Sequence, residues 1–295
     1  MSNLHVGDAV TVRFFMPSPA LAPYISTYYL TEVRGPAETA VQDWLHPEWA
    51  NVRYAANPQW QAAIGSEPLR TPAPLIGTGP TCQAAHFILG PSRIWGIGVL
   101  PLGWARLCSG DAAIHADRFT DARSEPAYAG FAPLPGLTFG AEPDPAAEAA
   151  RIDAYLLTLL DQRPVPEDEA RIRAAHAALH DPEVASVGDL ADRLGQSPRS
   201  LERLSLRAFG FSPKLLLRRQ RFLRSLAQFM LDPSLTWIRT LDWQYVDQAH
   251  FVRDFKRFMG MSPSTYAALD HPVLRAAARA RAAAAGAAVQ ALHRP

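Results

Sequence analysis

The feature that most constrains this chain is a repeat. The segment "SPRSLERLSLRAFGFSP" runs from Ser197 to Pro213, and "YVDQAHFVRDFKRFMGMSP" runs from Tyr245 to Pro263. Aligned fifty residues apart, Ser197 stands opposite Asp247, Leu201 opposite Phe251, Arg203 opposite Arg253, Gly210 opposite Gly260, and Ser212-Pro213 opposite Ser262-Pro263. Each copy opens on a side chain able to cap a helix and continues with apolar residues at helical spacing. Each then stops at a glycine and restarts with Ser-Pro. The chain therefore has to fold the same helical unit twice.

The sequence around the repeat completes each unit. "EDEARIRAAHAAL" begins with acids, as a helix N-terminus favours, and breaks at Asp181-Pro182. "SVGDLADRL" places Ser186 as N-cap with Asp189 three residues on, a capping-box variant, and ends at Gly195. A second helix starts after Ser197, with Pro198 at its first position, so two helices meet across Gly195-Gln196-Ser197 in the outline of a helix-turn-helix. Ser212-Pro213 begins a long helix, "PKLLLRRQRFLRSLAQFML", that Asp232-Pro233 stops. "SLTWIRTLD" reads as the first helix of a second pair, and Asp247 caps its second helix, where Phe251, Phe255 and Phe258 form the buried stripe.

Charge adds a direction to this geometry. The whole chain is near neutral at +1, yet residues 1–164 carry ten Arg against fifteen acids, while Ser197–Arg257 carries twelve basic against five acidic residues. That basic block suggests a polyanion-binding face. On the second helix of each unit the side chains away from the apolar stripe are Arg199, Glu202 and Arg203, and then Ala249, Val252 and Arg253, with Gln248 and His250 flanking. Arg can take guanine O6 and N7, Gln adenine N6 and N7, Glu cytosine N4, and small apolar groups the thymine methyl. Lys214, Arg218, Arg219, Arg221 and Arg224 crowd the long helix between the units, and Lys214, Arg218 and Arg219 are the candidates for phosphate contact.

Upstream, the first 140 residues are rich in proline and glycine, with short apolar runs such as "YISTYYL", "AHFIL" and "RIWGIGVLPLGWARL" between breakers. Strands joined by turns are expected there, with a short helix in "PSPALAPYISTYYL" and a longer one over Asp144–Arg163. "RPVPEDEA" suits a linker. The expected architecture is α+β: a strand-rich domain over 1–163, an all-α domain over 164–271, and an Ala/Arg-rich tail over 272–295.

Residues 170–268 resemble the tandem helix-turn-helix domain of the AraC/XylS family of bacterial transcription regulators, with "DQAHFVRDF" and "FMGMSP" the most specific segments. The resemblance implies seven helices in two subdomains joined by the long helix, each placing a recognition helix in the major groove of double-stranded DNA. It further implies an N-terminal domain that senses a small molecule, mediates homodimerisation, or both, and it leaves RNA polymerase open as a partner. The second unit departs from the pattern: Arg239, Thr240 and Gln244 replace an apolar residue, an alanine and a glycine, so a different turn or strain is expected at Gln244.

The remaining chemistry is sparse. Cys82 and Cys108 stand in apolar surroundings without a CxxC, and His5, His46, His86 and His115 have no metal-ligand spacing, so buried thiols and no metal or cofactor are expected. Trp44, Trp49, Trp60, Trp95 and Trp104 fit a core better than a pocket. The start of the chain has no secretory pattern and no run spans a membrane, which favours a cytoplasmic protein. Two other readings stay open: a repair enzyme with a nucleophilic cysteine, and a helical module that binds protein. The basic excess weighs against the second, and the lack of a Pro-Cys-His context against the first.

Overall fold

A computed structural model describes residues 9–231 and 241–285. The expected first helix of the second unit, over 234–242, lies outside the described residues as far as 240, Arg239 and Thr240 included, while Leu241 and Asp242 are not helical; His5, the Asp232-Pro233 stop and the end of the tail also lie outside them. The N-terminal half contains β1 (Val10–Phe15), β2 (Ile25–Val33), β3 (Val41–Leu45), β4 (Ala50–Ala55), β5 (Trp60–Ile64), β6 (Leu75–Thr78), β7 (Ala85–Leu89), β8 (Ser92–Val99) and β9 (Phe119–Asp121). Helices α1 (Pro101–Leu107), α2 (Ala112–His115), α3 (Leu134–Thr138) and α4 (Pro145–Asp161) follow or interrupt them.

The strands form an antiparallel six-stranded sheet, β1-β2-β8-β4-β6-β9, and a three-stranded sheet, β3-β7-β5. Alternation decides what each face touches. In β8, Ile94 joins Val12, Ile76, Trp60 and Phe87 in the core between the sheets, while Trp95 and Ile97 point to the opposite face with Tyr28, Val52 and Tyr54. That second face carries α4, whose Ile152, Leu156, Leu159 and Leu160 recur at helical spacing and are buried. Glu148 of α4, fully buried, accepts two bonds from Arg93 at 3.0 and 3.1 Å and one from Trp95 Nε1 at 2.7 Å, so the helix is fastened to the sheet by a compensated charge.

Two local expectations change. "PLGWARL" is not strand but α1, because Pro101 sits at the first helical position and Leu102, Trp104 and Leu107 bury one side. "PSPALAPY" holds turns rather than a helix: Ser18 C=O accepts from Leu21 and Ala22 N–H, and Leu21 C=O from Tyr24 and Ile25 N–H, before β2 begins. All five tryptophans singled out lie in or against the core, with Trp60, Trp95 and Trp104 buried.

The C-terminal half is helical: α5 (Glu169–His180), α6 (Val187–Leu194), α7 (Pro198–Phe209), α8 (Pro213–Leu231), α9 (Gln248–Met259), α10 (Pro263–Ala267) and α11 (Pro272–Ala285). The chain crosses from α4 to α5 in a short segment at the expected linker, yet the packing does not divide there. One continuous core joins Trp95, Leu156, Ile172, Leu204 and Phe255. Helix α7 packs on α1 and α2, the Trp49 ring meets Phe209 edge-on at 5.8 Å, and Ala84 N–H donates to Phe258 C=O at 2.7 Å.

The tail supplies another fastening. Helix α11 lies on β1 and β3, adding Val273 and Ala277 to the core between the sheets. Asp43 of β3, fully buried, accepts from the N–H groups of Val273 and Leu274 at 3.0 Å, so a strand residue caps a helix 230 positions away.

Candidate nucleic-acid interface

The first helix-turn-helix forms as its caps dictate. Ser186 and Asp189 make a reciprocal capping box at α6, and the helix ends at Gly195, whose φ of 58° is the left-handed conformation that an L side chain resists. Ser197 accepts from Ser200 N–H to start α7, which buries Leu201, Leu204, Ser205, Ala208 and Phe209. Arg199, Glu202 and Arg203 are all exposed on the other side. Composition and spacing did not single out Arg171 of α5, whose guanidinium donates to Gln196 Oε1 at 3.0 Å and Ser200 Oγ at 2.6 Å. That ties α5 across the turn and to the start of α7; its only sequence signal is its place among acids in "EDEARIR".

The second unit is built alike. Asp247 accepts from His250 N–H at 2.6 Å, α9 buries Phe251, Phe255, Phe258 and Met259, and Gly260 ends it at φ 72°, matching Gly210 at φ 84°. Ser262 caps α10 through Thr265 N–H. Gln248, Ala249 and Arg253 are exposed, and His250 and Val252 half-buried. The departure at Gln244 produces a different turn and not strain. Among the described residues only Asp117 has a positive φ without being glycine, and Tyr245 N–H closes the turn on Asp242 C=O at 3.0 Å. Gln244 also reaches across to donate to Pro182 C=O.

The arginines of α8 do different work from that expected. Arg218 and Arg221 both donate to Asp254 of α9, which is fully buried and also accepts from Tyr245 Oη at 3.1 Å. Arg224 pairs with Asp242. Arg219 is 1% exposed, so it cannot contact a phosphate in this arrangement. Its guanidinium donates to Thr81 C=O at 2.9 Å and Glu48 C=O at 3.3 Å in the N-terminal domain, and burial pushes its pKa down, against the pull of Cys82, Asp117 and Glu48. Arg218 is engaged by Asp254 while partly exposed, and Lys214 is exposed. Of the three phosphate candidates, Lys214 alone stands open to solvent.

The thiols face the opposite way from nucleophiles. Cys82 and Cys108 are free and buried, and burial pushes the Cys82 thiol up to about 12 and that of Cys108 up as well, where an attacking cysteine needs its pKa lowered. His86 stacks on Trp44 at 4.5 Å, and His115 is buried against Trp104 and Tyr128. Among the described residues no group of His, Cys, Asp and Glu could hold a metal, and no helix is long and apolar enough to cross a membrane.

The family model described as a helix-turn-helix domain matches residues 190–268. No curated protein sequence matches the chain. Among solved structures, ToxT from Vibrio cholerae is similar over 88% of this chain and 97% of its own at 10% identity, with a TM-score of 0.42. ToxT bound to (E)-4-(8-methylnaphthalen-1-yl)but-3-enoic acid is similar over 78% and 98% at 10% identity, with a TM-score of 0.43. The AraC-like transcriptional activator CuxR is similar over 76% and 89% at 13% identity, with a TM-score of 0.24. The matched segment takes in α7, α8 and α9, so the class defined is that of helix-turn-helix DNA-binding proteins. Within that class, the repeated segments of this region resemble the AraC/XylS type of transcription regulator.

Proposed function

We propose that the protein is a sequence-specific transcription regulator that reads two adjacent major-groove segments of double-stranded DNA. In this reading α7 contributes Arg199, Glu202 and Arg203, and α9 contributes Gln248, Ala249, His250 and Arg253. The observation that carries it is the duplicated cap, buried stripe and left-handed glycine, which leave the N-terminal part of both helices outward on a shared core. Lys214 holds a phosphate, while α8 acts as a spacer clamped to α9 by Asp254.

The N-terminal domain modulates the readers. What supports this is the continuity of packing: α7, α8, α10 and α11 each touch the sheets or the helices beside them, so a change in the strand-rich domain has solid paths to both units. A small-molecule effector, a second copy of the chain and RNA polymerase are the partners this arrangement suits. The test is enrichment of DNA from a random pool by the full chain, followed by footprinting of the selected sites. Two protected stretches about one helical turn apart are expected; a single stretch, or no enrichment at any salt, overturns the reading.

A further inference from the structure

Arg221 of α8 donates from Nη2 to His250 Nε2 at 3.1 Å and to Asp254 Oδ2 at 3.2 Å. Arginine has five N–H donors and no lone pair, so the direction of the first contact is settled: Nε2 accepts. An imidazole that accepts at Nε2 is neutral and carries its proton on Nδ1. The surroundings leave the ring little freedom. Tyr245 meets it edge-on at 5.1 Å, the Arg221 guanidinium lies 4.6 Å from the Tyr245 centroid, and Tyr245 Oη is itself tied to Asp254.

His250 is the third residue of α9, and three helical positions put it about 60° around the axis from exposed Arg253. It therefore borders the face proposed to meet DNA. We infer that Arg221 fixes His250 as its Nδ1–H tautomer, so that the second reader presents one defined donor at this edge. The inference rests on α9 being a reader. Such a donor matches acceptors, namely guanine O6 or N7, adenine N7, thymine O4 or a phosphate oxygen, and it rejects the exocyclic amines of cytosine and adenine. Arg221 is then a positioning residue: it has no contact with DNA, but it decides which nitrogen of its neighbour carries the proton.

Nitrogen-15 NMR of the full chain, labelled at histidine, reads the tautomer directly. A protonated Nδ1 and an unprotonated Nε2 are expected for His250, and Arg221→Met, shown folded by circular dichroism, should shift the signal towards protonated Nε2. DNA binding gives an independent readout. An Asn side-chain amide reaches about as far as imidazole Nδ1 and a Gln amide about as far as Nε2. His250→Asn should therefore bind the selected site about tenfold more tightly than His250→Gln. If the difference is confined to sites with one base identity, the acceptor is a base edge; if it is the same for every sequence, it is a phosphate. Protonated Nε2 in the unaltered protein, or equal binding by the two variants, overturns the inference. Failure of the unaltered protein to enrich any sequence, with the tautomer as expected, would instead overturn the DNA reading beneath it.

Discussion

The Arg219 guanidinium lies over the Trp49 ring, 3.9 Å from its centroid, and so joins the long helix between the readers to the strand-rich domain. A desolvated cation over tryptophan stabilises by about 2 kcal/mol. Truncation also removes the donor to the buried Thr81 C=O, at about 1–3 kcal/mol, whereas Glu48 C=O keeps the N–H of Thr81. Arg219→Ala is therefore expected to lower the unfolding free energy by about 3–5 kcal/mol. Because Arg219 touches no phosphate, the salt dependence of DNA binding should keep its slope in the variant that remains folded. A slope reduced as by loss of one phosphate contact would return Arg219 to the DNA surface.

Lys214→Ala is the converse case. The side chain is exposed, so stability should change by no more than about 0.5 kcal/mol. Its loss should reduce the salt slope by about 1 and weaken binding to all sequences alike. Titrations at several salt concentrations check both features, and a change of base preference would place Lys214 at a base edge.

Arg199→Ala and Arg203→Ala should each cost about 1–3 kcal/mol of specific affinity and relax base preference at one position. Both side chains are exposed on α7, away from Leu201 and Leu204, so thermal melting should hardly move. Selection of sites by each variant gives the answer. Uniform weakening without relaxed preference would reassign the arginine to the backbone.

Asp43 and His271 couple the tail to pH. Both ring nitrogens of His271 face acceptors, Nδ1 to Asp43 Oδ1 at 2.9 Å and Nε2 to Tyr266 C=O at 3.0 Å, a pattern that the imidazolium satisfies. Burial acts to lower its pKa, but the bonds to Asp43 and Tyr266 prevail and raise it above 6.5. A folded-state pKa above the unfolded one gives stability that is complete below about 6.5 and fades as pH rises through the folded value. Melting temperature should therefore fall as pH rises above about 6.5 in the unaltered protein. Asp43→Asn should flatten that part of the profile while lowering stability at every pH, since it also weakens the cap on α11. An unchanged profile in the variant would show that the pair does not titrate with folding.

The C-terminal units were legible because their signals are local. Ser186 with Asp189, Ser197, Asp247 and the glycines at 195, 210 and 260 each act within one turn of helix, and all of them cap or end helices where the spacing put them. The strand-rich half was legible only in kind. "PLGWARL" has an apolar run that suits a buried strand, and the burial of α1 against α7 and α5 that makes it a helix is a tertiary contact. The same reason hid the roles of Arg219 and Asp43. Their partners, Trp49 and Thr81 for one and Val273 and Leu274 for the other, lie more than a hundred residues away in sequence, and a basic helix face looks the same whether it meets solvent or another domain. The chain runs from α4 to α5 through "RPVPEDEA", and composition carried no sign that the core would continue across it.

Asp254 gives the sharpest test of two readers acting together. It is fully buried on the inner side of α9, and its charge is compensated by Arg218, Arg221 and Tyr245 Oη, so the first two hold the second reader against the spacer helix. Asp254→Asn removes the charge but keeps the shape, leaving two guanidinium groups facing a neutral amide; losing one partner of a buried pair costs about 3–5 kcal/mol. The helix caps and the Phe251, Phe255 and Phe258 stripe are untouched, so circular dichroism should still show a folded chain with a lower melting temperature. Helix α7 makes none of these contacts and should keep its half of the site. The expected footprint on a selected site therefore shrinks to one stretch, with specific affinity falling towards that of a single reader, while salt-sensitive nonspecific binding survives because every arginine remains. If the folded variant protects both stretches with undiminished affinity, the clamp does not position α9, and the second unit meets DNA by other means or not at all.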